Sequence, residues 1–78
     1  MGKREKLIAQ FLKQPPEVSF DDVRYLLKTF DFEEKSVKGS HHTFRNSKGL
    51  KITIPKKRGK MVKRVYVQQI IKLLNLDK

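Results

Sequence analysis

Both histidines of the chain stand side by side in Gly39-Ser40-His41-His42, which runs directly into Thr43-Phe44-Arg45. The same tetrapeptide occurs in cloning scars at chain termini. Here it is internal, and an alternating strand pattern and a turn continue it. Imidazole changes charge nearest neutrality, so a strand presenting His among cations can move protons beside a bound phosphate. The reaction this serves is cleavage of an RNA phosphodiester by its own 2′-hydroxyl: a neutral His takes the hydroxyl proton while nearby cations stabilise the growing charge. DNA lacks that internal nucleophile.

Strand alternation separates the two rings. If Phe44 faces the core, His42 shares its side, whereas His41, Thr43 and Arg45 share the open side. His41 is then the better catalytic candidate. A bulge beside Gly39 would reverse the faces and keeps His42 as an alternate or assisting residue. The proton for the leaving 5′-oxygen could come from the other His, a Lys or solvent.

Arg45, Lys38, Lys48, Lys51 and the basic loop Lys56-Lys57-Arg58 are candidates to hold RNA phosphates, with Ser40 and Thr43 in the same RNA-binding set. Residues 1–34 carry six Lys/Arg against seven Asp/Glu, whereas residues 35–78 carry thirteen against Asp77 alone. The whole net charge of +11 therefore lies in the second part. A solubilising exterior mixes both signs, so this part reads as a polyanion-binding surface. Two adjacent His with no neighbouring carboxylate or thiolate ligand make a poor metal site, and no phosphate-binding Gly motif occurs. No metal and no cofactor is expected.

The elements that must carry these residues follow from periodicity. Leu7, Ile8, Phe11 and Leu12 form a helical stripe within residues 3–14, ended by Pro15-Pro16. Ser19 opens a second helix, with Asp22 in a capping-box-like position and Val23, Leu26, Leu27 and Phe30 as its apolar face. From Phe32 the period becomes two: strands over 32–38, 40–45 and 50–55, with Asn46-Ser47-Lys48-Gly49 as the turn of an antiparallel hairpin. Leu50, Ile52 and Ile54 alternate with Lys51 and Thr53, which buries one sheet face and leaves the other open. A final helix is expected over 62–76, with Val62, Tyr66, Val67, Ile70, Ile71, Leu73 and Leu74 on its stripe. The fold class is α+β, a three-stranded antiparallel sheet packed on helices in the order α-α-β-β-β-α.

Seventy-eight residues make a single domain, 1–78. At that size only about 60 to 65% of the unfolded chain's surface is buried, which leaves no room for a large substrate cavity. The absence of cysteine excludes disulfides and thiolate metal sites. No apolar run approaches the ~18 residues a membrane span needs, so the chain reads as cytoplasmic with no membrane partner.

Lys38-Gly39-Ser40-His41-His42-Thr43-Phe44-Arg45, the short turn, Leu50-Lys51-Ile52-Thr53-Ile54-Pro55 and a closing helix with Val62-Lys63 and Ile70-Ile71-Lys72-Leu73-Leu74 resemble the HicA toxins of HicA/HicB toxin-antitoxin systems. The resemblance covers roughly residues 20–76. It implies a double-stranded-RNA-binding-domain-like fold over residues 19–76, and residues 1–16 as an N-terminal helical extension. It also implies ribosome-independent cleavage of mRNA by a strand histidine and silencing by a HicB-type antitoxin. The family's histidine falls on His41, or on His42 where members place it one position later. Lys56-Lys57-Arg58 stand where many members have a further His, which weakens any scheme using that His as an acid. A non-catalytic RNA-binding module would use the same basic face. A DNA-binding regulator finds no recognition helix to support it.

Overall fold

The computed structural model describes residues 2–56 and 58–77. Helix α1 spans Lys3–Leu12, strand β1 Glu17–Ser19 and helix α2 Phe20–Thr29. Strands β2 (Glu33–Lys38), β3 (His41–Arg45) and β4 (Lys51–Pro55) follow, then a 3-10 turn at Arg58–Lys60, strand β5 (Met61–Lys63) and helix α3 (Arg64–Leu74). The sheet β2-β3-β4 is antiparallel throughout, and β1 pairs with β5 in a separate two-stranded ribbon.

The expected order of three helices and three main strands stands, but the ribbon takes the start of the expected closing helix. Val62 lies in β5 opposite Val18, not in the closing helix, which begins at Arg64. Three-residue strands are too short to show a period, and a buried valine satisfies a helical stripe and a strand face equally. Leu12 and Leu50, both expected on apolar faces, are exposed. Leu12 closes α1. Leu50 precedes β4 in the turn, where its N–H donates to Asn46 Oδ1.

One cluster of buried residues joins every layer. It takes Leu7 and Phe11 from α1, Val18 from β1, Phe20, Val23, Leu26 and Leu27 from α2, Phe44, Ile52 and Ile54 from the sheet, and Val67, Ile70 and Ile71 from α3. The sheet therefore packs one face on the helices and leaves the other open, as alternation requires. Ser19 caps α2 by accepting from the Asp21 N–H at 3.1 Å, so the bond goes to Asp21 and not to Asp22.

Two turns fix the register that places the histidines. Lys38 pairs directly with His41, leaving Gly39 and Ser40 as a two-residue loop. Gly39 takes φ 58, a left-handed conformation that a hairpin of this length demands at its first central position. Asn46 Oδ1 accepts from the N–H groups of both Lys48 and Leu50 and closes the β3–β4 turn.

Candidate active site

His42 and His41 leave β3 on opposite sides. His42 is 8% exposed and shares the helix-facing side with Phe44, whereas His41 is exposed on the open side with Thr43 and Arg45. The two imidazoles therefore cannot face one phosphate as a base and acid pair.

Around His42 the structure assembles residues from α2, from β2 and from the segment after β4. The Phe20 ring, from the first turn of α2, lies with its centroid 4.6 Å from that of His42, tilted by 53°. The ring nitrogen Nδ1 of His42 is hydrogen-bonded to Oε2 of Glu34 on β2. A carboxylate only accepts, so Nδ1 carries the hydrogen and Nε2 is the nitrogen left with the lone pair of a neutral ring. The other carboxylate oxygen of Glu34, Oε1, faces Arg24 Nε at 3.5 Å, an ion pair too long for a good hydrogen bond. Arg24 lies one helical turn after Phe20, and its guanidinium carbon is 5.0 Å from the Phe20 ring centroid. Lys56 Nζ lies 5.2 Å from the same centroid, and the Lys56 N–H donates to the Ser40 carbonyl at 2.7 Å.

Glu34 reaches His42 because of a bulge. Arg45 pairs with Glu33 and Phe44 with Glu34, but Thr43 pairs with Ser36, leaving Lys35 as an extra residue on β2. Had β2 paired without interruption, Lys35 would have faced Phe44 and Glu34 would have pointed to the open side. The bulge exchanges them and puts a carboxylate beside the buried imidazole. Bulges change side-chain direction without leaving a compositional mark, so neither Glu34 nor Arg24 was legible from spacing. Phe20 had a signal: an aromatic residue immediately after an N-cap Ser.

The predicted site residues divide between the two sides of the sheet. His41, Lys38, Thr43, Arg45 and Lys51 line an open-side groove of about 440 Å³. Thr43 and Thr53 hydroxyls meet across β3 and β4 at 3.2 Å. Ser40 lies at the hairpin tip and Lys48 in the β3–β4 turn, neither beside His42. Lys56 alone of the predicted cations is described near the buried ring. Lys57 and the side chain of Arg58 lie outside the described residues. Among the described residues, no three His, Asp or Glu side chains converge on a possible metal site, and no helix is long and apolar enough to cross a membrane.

Comparison with curated proteins and with solved structures gave no match. A family model described as HicA toxin of bacterial toxin-antitoxin does match, over residues 20–76. The matched span runs from Phe20 through both histidines to the end of α3 and takes in most of the chain. The ring that packs on His42 and the carboxylate bound to it both lie within that span, and the chain belongs to the HicA toxin family of toxin-antitoxin systems.

Proposed function

We propose that the protein is a toxin ribonuclease that cleaves mRNA without a metal, with His42 as general base. The observation that carries this reading is the Glu34–His42 hydrogen bond. A general base needs a fixed ring and a defined tautomer, and a carboxylate on Nδ1 supplies both. Strand alternation makes the exposed His41 the first candidate and His42 the alternate; the hydrogen bond to Glu34 and the packing on Phe20 support the alternate. An imidazole on an open strand is free to rotate, whereas that of His42 is held between Phe20 and Glu34.

In this scheme His42 Nε2 takes the proton of a ribose 2′-hydroxyl. The 2′-oxygen forms a bond to phosphorus, the bond to the 5′-oxygen breaks, and the departing oxygen takes a proton from Lys56 or from water. The products are a 2′,3′-cyclic phosphate and a free 5′-hydroxyl. Lys56, whose Nζ lies 5.2 Å from the Phe20 ring centroid, stabilises the extra negative charge of the phosphorane-like transition state. Arg24 is tied to Glu34 and keeps that carboxylate aimed at the ring.

Membership of a toxin-antitoxin family implies an antitoxin partner. In this reading a HicB-type antitoxin silences the toxin by covering the His42 side of the hairpin.

The test uses a single-stranded RNA and the same RNA carrying one 2′-deoxynucleotide at the mapped cut site. The expected outcome is cleavage of the first alone, leaving 2′,3′-cyclic phosphate ends. Cleavage of the deoxy-substituted strand at the same bond would overturn the mechanism. Tight binding with no cleavage by the wild-type protein would favour the non-catalytic RNA-binding module.

A further inference from the structure

The open side of the sheet carries a second charged surface that catalysis at His42 leaves unused. Its groove is lined by Lys35, Lys38, Arg45 and Lys51, with His41 between them and the hydroxyls of Thr43 and Thr53 on its floor. Among the described residues, no apolar side chain and no carboxylate lines it. Arg45 and Lys51 are directly opposite each other across β3 and β4. Like charges placed opposite on a sheet oppose pairing, so this register costs stability unless an anion lies between them. Glu33 offsets part of that cost from the far strand, pairing with Arg45 in register and with Lys35 at 3.0 Å. Lys38, Lys51 and His41 have no carboxylate within ion-pair distance among the described residues.

A protein partner docks on apolar and aromatic anchors ringed by polar groups. The described residues of this groove offer cations, an imidazole and hydroxyls, which is the chemistry of phosphate backbone contacts. We propose that the open side is a second RNA-backbone site: the strand cut at His42 passes over the Gly39-Ser40 hairpin tip, and its flanking phosphates lie along Lys38, Arg45 and Lys51. The tip allows the crossing because it is a two-residue loop at the sheet's end, with adjacent histidines emerging on its two sides. The proposal takes RNA as the ligand from the function proposed above, but it does not require that the RNA be cut.

The test measures binding by a His42→Ala protein, so that cleavage plays no part. Its affinity for labelled single-stranded RNA of mixed sequence is compared with that of the same protein carrying Lys38→Gln, Arg45→Gln and Lys51→Gln. RNAs of about 4 and about 16 nucleotides are used, the range of single-strand site sizes. All three positions are surface strand residues, and a thermal melt checks the fold. The expected outcome is a loss of about tenfold or more on the long RNA, with the slope of log K against log salt reduced by about 2, since each lost single-strand contact removes about 0.7. The loss on the short RNA should be clearly smaller. Equal losses at both lengths, or an unchanged slope, would overturn the proposal. A triple variant that binds long RNA normally but no longer binds the antitoxin would assign the groove to the protein partner and overturn it equally. As an independent readout, RNA titration should shift the backbone amide resonances of Thr43 and Thr53. RNA binding of this kind by a wild-type protein that cuts nothing would leave the groove standing while the ribonuclease reading falls.

Discussion

Phe20 lies with its ring centroid 4.6 Å from that of His42, tilted by 53°, and is itself fully buried. The first residue of α2 thus forms the wall against which the candidate base rests. Phe20→Ala should lower stability by about 3–5 kcal/mol, the usual cost of truncating a buried phenylalanine. Denaturant unfolding measures this. Phe20→Leu restores most of the packing volume but no flat ring, so it should regain most of the stability while keeping a reduced kcat. Full recovery of both by Leu would show that the ring supplies volume only.

Glu34→Gln keeps the size of the side chain and removes the acceptor-only carboxylate. A glutamine amide can present either oxygen or nitrogen to Nδ1, so the tautomer of His42 is no longer fixed. Single-turnover kcat should fall about 10²-fold or more, within the range of general acid-base contributions, with KM little changed. A raised KM at constant kcat would place Glu34 in RNA binding instead.

The segment before the family match is part of the core. Leu7, Phe11 and Val18 are 6%, 0% and 1% exposed, and Arg64 ties α3 back to it through its N–H to Pro16 O at 2.9 Å and its Nε to Gln14 O at 2.8 Å. Burial of each apolar side chain is worth about 1.5–3 kcal/mol, so the three together approach the whole stability of a small domain. Deletion of residues 1–19 should leave a chain without a cooperative thermal transition. A sharp transition near the wild-type temperature would make the segment dispensable.

The fold was legible where sequence carried period and punctuation. Val23, Leu26 and Leu27 mark one helical face, Ile52 and Ile54 one strand face, and Gly39 and Gly49 the turns, so the main sheet and the opposite directions of His41 and His42 followed. The ribbon β1–β5 was not legible, because three residues show no period and Val18 and Val62 pair across more than forty residues of sequence. The environment of His42 was hidden for a different reason. A single bulge at Lys35 decides whether Glu34 or Lys35 faces the helices, and the sequence around it reads equally well either way.

Whether His42, held by Glu34, takes the 2′-hydroxyl proton is decided by single-turnover cleavage of RNA by His42→Asn. The asparagine amide can still donate to Glu34, which keeps the fold, but it has no basic nitrogen. If His42 is the base, the variant stays folded and its cleavage rate at saturating RNA is lower by about 10²-fold or more. A folded His42→Asn protein that cleaves at the wild-type rate, while His41→Asn is inert, would contradict it and place the base on the open side of the sheet.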